Sequence, residues 1–154
     1  MKAGILVDRI DGSQLSFNIT ACVNHISNNM VNTDIIIFTK EPSAPVLTPL
    51  FAIMPETEIW GFDAPVISTS LETASTLLQA TGPTQKYFYV WDLEWMRLQD
   101  FMHSNLSAIY NNENIELIAR SKRHRNIISK CWRSPSHIIN DFDHKDLIRV
   151  IKND

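Results

Sequence analysis

At 154 residues, with 44% hydrophobic and 20% charged side chains, the chain fits one domain with enough apolar residues to bury a core. A net charge of -3 argues against a generally basic nucleic-acid binder and leaves only a local basic patch open. Cys22 and Cys131 make no disulfide framework, and no apolar run is long enough for a signal peptide or a membrane span, so a cytoplasmic protein is expected.

Residues 4–7 form a short apolar run closed by Asp8, which reads as a first strand. The loop Arg9-Ile10-Asp11-Gly12 then leads to Ser13, a cap for a helix with Leu15, Phe17, Ile19, Cys22, Val23 and Ile26 on its core side. Residues 34–39 are a second buried strand, and Pro42, Pro45 and Pro49 make a loop in which no helix persists. A weaker third strand is expected at 51–54; residues 56–62 are open between a helical turn and a strand. A fourth strand at 65–68 precedes a helix at 71–80, capped by Thr69 or Ser70 and ended by Gly82-Pro83.

Residues 87–91, Tyr-Phe-Tyr-Val-Trp, read as a strand buried on both faces, the kind found inside a parallel sheet. Asp92 is a helix N-cap, and Glu94, Trp95, Met96 and Leu98 open a helix expected to run to Tyr110. A sixth strand at 116–119, a helix at 122–132, a short seventh strand at 137–140 and a last helix capped by Asp143 complete the chain. Strand and helix alternate at the spacing of βαβ units. That pattern predicts an α/β fold: a three-layer Rossmann-like sandwich with a mainly parallel sheet of six to seven strands, in a single domain over 1–154.

In open sheets of this kind, ligands sit at the carboxyl ends of the strands. Asp92 and Glu94 fall there and could orient a hydroxyl or act as a base; capping and the helix dipole explain them equally. The Asp11-Gly12-Ser13 turn could offer backbone N–H groups to a phosphate or a sugar hydroxyl, or simply be a capped turn. The basic stretch from Arg120 to Arg125 places Arg120 and Ser121 at a strand end, with His124 one turn into the helix. It could meet an anionic ligand or be a solvated helix face. Nucleic acid is disfavoured as a partner because no aromatics interleave with the cations.

Several chemistries lack their sequence requirements. The four glycines form neither a dinucleotide fingerprint nor a P-loop, no Gly-x-Ser-x-Gly elbow exists, and no Cys/His spacing resembles a metal site. Asp141-Phe-Asp143 spells an acidic pair that some sugar transferases use for a metal, but Asp143 is more simply an N-cap. Neither a metal nor a cofactor is expected.

Three stretches carry a resemblance: Gly4-Ile-Leu-Val-Asp-Arg-Ile-Asp-Gly-Ser13, Tyr87-Phe-Tyr-Val-Trp-Asp-Leu-Glu-Trp95 and Ile118-Ala-Arg-Ser-Lys-Arg-His124. With the strands so placed, the chain resembles the N-terminal Rossmann-like domain of a GT-B glycosyltransferase. In that family the N-terminal domain mostly holds the acceptor and a facing C-terminal domain holds the nucleotide-sugar donor. The present sequence departs from the pattern in having no second domain. The resemblance therefore implies either a hexosyl transferase completed by a homodimer or partner protein, or a degenerate, non-catalytic half of one. Its richness in Ile and Asn would suit an AT-rich genome such as a phage's, which would place it in a host cytoplasm.

The resulting expectation is a sugar or nucleotide-sugar ligand at the carboxyl edge. Asp11 and Asp92 are the candidate catalytic acids, and Gly12, Ser13, Glu94, Arg120, Ser121 and His124 the candidate ligand-binding residues. An acid would deprotonate an acceptor hydroxyl while Arg120 steadied phosphate charge. The rival expectation is a non-catalytic interaction module, with the Pro-rich loop and the basic helix as contact surfaces.

Overall fold

A computed structural model describes residues 1–41, 44–97 and 103–152, the side chains of 103 and 104 excepted. Among the described residues seven strands form one sheet: β1 (Lys2–Val7), β2 (Asp34–Thr39), β3 (Ile53–Pro55), β4 (Val66–Ser68), β5 (Lys86–Val90), β6 (Glu116–Ala119) and β7 (His137–Ile138). Their order is β3-β2-β1-β4-β5-β6-β7 and every pairing is parallel. The faces are covered by the α-helices α1 (Gln14–Asn29), α2 (Leu71–Gln79), α3 (His103–Tyr110), α4 (Lys122–Cys131) and α5 (His144–Lys152). The fold is a Rossmann-like three-layer α/β sandwich.

Alternating side chains sort the core into two layers, since successive strand residues point to opposite faces. On one face Ile5, Tyr87, Tyr89 and Ile118 pack under α1 and α5, contacting Val23, Ile26 and Leu147. On the other, Leu6, Phe88, Val90 and Leu117 pack under α2, α3 and α4, against Leu77, Ile109 and Ile128. β5 lies between β4 and β6, which is why its side chains from Tyr87 to Val90 are buried on both faces. Burying tyrosines requires partners for their hydroxyls: Tyr89 Oη donates to the Ile139 carbonyl at 2.9 Å and Tyr87 Oη to Gln85 Oε1 at 3.1 Å.

Several boundaries differ from the sequence reading. Where one helix from 94 to 110 is expected, residues 94–97 form a 3-10 turn and α3 covers His103–Tyr110; Leu98 lies outside the described residues, as does Pro42. The third strand begins at Ile53, after Phe51, and occupies the sheet edge, where all three of its residues are exposed. Residues 56–61, left open above, form a 3-10 helix with only Ile59 buried. The seventh strand stops at Ile138, where Asn140–Phe142 turns instead, with Asp141 and Phe142 at positive φ. Helix α2 stops at Gln79, ahead of Gly82, and no glycine has a positive φ among the described residues. No helix among them is long and apolar enough to cross a membrane.

Candidate functional site at the carboxyl edge

Connections from β1 run to β2 on one side, while β4 lies on the other, so strand order reverses between β1 and β4. At such a switch point the crossover helices diverge and leave a crevice beyond the carboxyl ends. A crevice opens there in two lobes that share Asp8, Leu15 and Thr69. The first lobe, about 380 Å³, is completed by Val7, Arg9, Asp11, Ser13, Ser16 and Glu41. The second, about 450 Å³, is completed by Ser70, Trp91, Asp92, Glu94 and Arg97.

The first lobe is built by the entry to α1. Ser13 caps that helix, accepting from the Ser16 N–H at 3.2 Å. Asp11 folds back onto the same turn: its Oδ1 accepts from the Ser13 N–H at 2.9 Å and from Ser16 Oγ at 3.0 Å. Arg9 Nε reaches the other oxygen at 3.1 Å. The Ser13 hydroxyl and N–H, helped by Ser16 and Arg9, hold the Asp11 carboxyl down at about 2, against a smaller opposing effect of burial. A carboxylate that acidic is a weak base. It also places a negative charge on the helix terminus that would otherwise attract phosphate.

Asp11→Ala should cost about 1 kcal/mol, a charge-assisted contact discounted for its partial exposure. Because the folded pKa lies below the unfolded value, this contribution is present above about pH 4 and is lost as pH falls through about 2. The melting-temperature gap between wild type and variant should therefore be full at neutral pH and close in acid. The same variant should gain affinity for inorganic phosphate, readable by titration calorimetry.

The second lobe is built by the starts of α2 and of the 3-10 turn after β5. Ser70 caps α2 through a reciprocal box with Thr73, at 3.1 and 2.9 Å, so Ser70 is the cap and Thr69 precedes it. Thr69 Oγ1 instead donates to the Leu6 carbonyl at 3.2 Å, tying the end of β4 to β1 at the crevice floor. Asp92 accepts from the Leu93 N–H at 2.9 Å and is ion-paired with Arg97. Glu94 is half-buried, and burial raises its carboxyl pKa; the Leu71 N–H opposes the shift and the charge of Asp8 adds to it. Asp8 itself has Oδ1 shielded from water with no hydrogen-bond partner among the described residues.

Arg120, Ser121 and His124 stand beside this crevice, outside its lining. Arg120 lies over the Trp91 ring, 4.0 Å from its centroid, and Nε donates to Asp141 Oδ1 at 2.8 Å. Ser121 caps α4, accepting from the His124 N–H at 3.2 Å. Burial lowers the His124 pKa, and Arg120 lowers it further. Asp143 caps α5, accepting from the N–H groups of Lys145 and Asp146 at 2.9 and 3.2 Å. Among the described residues no three His, Cys, Asp or Glu side chains are grouped to hold a metal ion.

The structure thus brings Asp11, Ser13, Asp92 and Glu94 to one crevice, while Gly12 is exposed outside its lining. Asp8, Thr69, Ser70, Arg9, Glu41, Trp91 and Arg97 join them without having been singled out as site residues. Asp8 had a usable signal, since it closes the first strand. Choosing β1 and β4 over β5 requires the strand order, which no local pattern encodes. No family model, curated protein or solved structure matches the chain.

Proposed function

We propose that the chain is a glycosyltransferase-like Rossmann domain that holds a sugar, in the role of acceptor, in the crevice between β1 and β4. The observation that carries this reading is the lining itself. Hydroxyls of Ser13, Ser16, Thr69 and Ser70 and carboxylates of Asp8, Asp11, Asp92 and Glu94 line one switch-point crevice. Carboxylates and hydroxyls are the natural partners of sugar hydroxyls, and the Trp91 ring supplies an apolar surface at the same lobe. A nucleotide diphosphate is less well served. Asp11 already lies on the entry to α1, the glycine-rich turn is missing, and Arg120 is held by Asp141.

Should transfer occur, Glu94 and Asp8 suit the removal of a proton from an acceptor hydroxyl better than Asp11 does. Glu94 has a raised pKa, and neither it nor Asp8 has an ion-pair partner among the described residues. A thermal-shift screen against neutral sugars, amino sugars, nucleotide sugars and nucleoside diphosphates tests the reading. A sugar at about one hundred times its Kd should stabilise by about 2.7 kcal/mol, roughly 5–10 °C for a domain of this size. The shift should be lost in Thr69→Val combined with Asp92→Ala. A screen with no response to any sugar would remove the reading.

One observation favours a protein-interaction module instead. Ile53 and Met54 are exposed on the β3 edge of the sheet, and Val46, Leu50 and Trp60 are exposed in the segments that flank β3 in sequence. Sedimentation of the wild type and of Met54→Lys separates the readings: an assembly that the lysine dissolves supports the module.

A further inference from the structure

Helix α4 reads Lys-Arg-His-Arg-Asn-Ile-Ile-Ser-Lys-Cys, with four Lys and Arg side chains and no carboxylate. The helical period sorts them: Ile128 is buried against the sheet, while Lys122, Arg123, Arg125 and Lys130 are all exposed. Elsewhere the fold uses its cations internally, and Arg9, Lys40, Arg97, Arg120 and Arg149 each meet a carboxylate. The four on α4 meet none among the described residues, so a basic face stands out on a molecule of net charge -3. Local stability gives no reason for it. Lys122 and Arg123 open the helix, where the positive end of the helix dipole favours acids, as Glu72 in α2 and Asp146 in α5 illustrate.

The composition of this face narrows its partner to a polyanion of one kind. No large apolar side chain is exposed on α4, so the face lacks the anchors of a membrane-bound helix or of a protein interface core. Aromatic platforms are missing too, since Trp132, just past the helix, stacks on Tyr110 at 5.2 Å. That counts against stacking on single strands, whereas duplex phosphates need no stacking. From Lys122 to Lys130 the helix rises about 12 Å, comparable with the width of the B-form major groove, so cations at its two ends reach phosphates of both strands. Arg123 and Arg125 add guanidinium groups, whose fork of donors suits phosphate oxygens.

We infer that the outward face of α4 docks on the phosphate backbone of duplex DNA through Lys122, Arg123, Arg125 and Lys130, without reading its sequence. The inference goes beyond the sugar reading and is independent of it, because none of these four residues lines either lobe of the crevice.

The test is fluorescence anisotropy of a short labelled DNA duplex of mixed sequence, titrated with the full chain. Contacts from these cations predict a slope of log affinity against log salt of about -3 to -4, roughly a hundredfold loss between about 50 and 200 mM salt. Lys122→Glu combined with Arg123→Glu should weaken binding at least about tenfold at low salt and flatten the slope by about two. Acids suit the first turn of a helix, so the melting temperature of that variant should hold or rise, which separates lost docking from lost folding. Lys145→Glu combined with Lys152→Glu makes the same change of charge on α5, across the sheet from α4, and should leave the slope unchanged.

No binding at about 50 mM salt would overturn the inference, and so would an equal loss in the α5 variant, which would reduce the effect to net charge. Tighter binding of the corresponding single strand would overturn the duplex assignment. Polyglutamate, or vesicles containing phosphatidylserine, displacing the labelled duplex as effectively per charge as unlabelled duplex does would overturn it in favour of an acidic protein or a membrane surface. None of these outcomes bears on the sugar screen.

Discussion

Phe88→Ala should destabilise the protein by about 3–5 kcal/mol, the range for emptying an aromatic site in a packed core. Phe88 is 1% exposed, lies in register with Ser68 and Leu117 on the flanking strands, and meets the Tyr110 ring at 5.5 Å. The strand on either side is pinned: Ser68 Oγ donates to the Tyr87 carbonyl at 3.0 Å, and Tyr89 Oη reaches the Ile139 carbonyl. With so little freedom to collapse, the cavity stays open, and the cost falls toward the upper end. Urea denaturation should show a lower midpoint, and the melting temperature should drop by roughly 6–20 °C for a domain of this size. A loss below about 1 kcal/mol would mean that α3 and α4 close over the gap, contradicting a rigid β5 centre.

Gly82→Ala should cost about 1–3 kcal/mol by crowding a site that has no room for a side chain. A Cβ there would lie 2.5 Å from the Trp60 carbonyl oxygen and 2.9 Å from the Phe62 nitrogen, both backbone atoms. Backbone cannot rotate away as a side-chain tip can, so the loop after α2 or the 3-10 turn at 56–61 must shift. Gly12→Ala is the matched control: its nearest neighbour would be Val46 Cγ2 at 3.7 Å, an ordinary contact. That variant should stay within about 0.5 kcal/mol of wild type. Equal melting temperatures for the two variants would refute the close-approach account of Gly82.

These two positions also show how sequence and structure divide the work. Phe88 was legible because Tyr87-Phe-Tyr-Val is an uninterrupted run of bulky and β-branched side chains, which only a doubly covered strand buries. Gly82 reads locally as a helix stop, yet α2 ends three residues earlier and the glycine lies against the backbone of Trp60 and Phe62. Trp95 and Met96 carry a helical pattern, but the described residues 94–97 form a 3-10 turn. There, packing of Trp95 against Tyr110 and Trp132, at 4.9 and 6.2 Å between ring centroids, outweighs local propensity.

The crevice divides in the same way. Asp11, Ser13, Asp92 and Glu94 were placed at strand ends by turn chemistry and capping, which act over a few residues and leave local marks. That Asp11 would turn back on its own helix, and that Arg120 would be taken by Asp141 and Trp91, needed side-chain geometry across the sheet edge.

By itself the sequence determined the layered α/β plan, the buried β5, the caps of α1 and α5, and the cap of α2 to within one residue, because hydrophobic period and capping are local properties. Only the tertiary structure decided that β1 and β4 lie side by side, and hence that Asp8 and Thr69 floor the crevice. The order of parallel strands is set by how the crossover helices pack on the two faces, a long-range outcome that no short stretch of residues records.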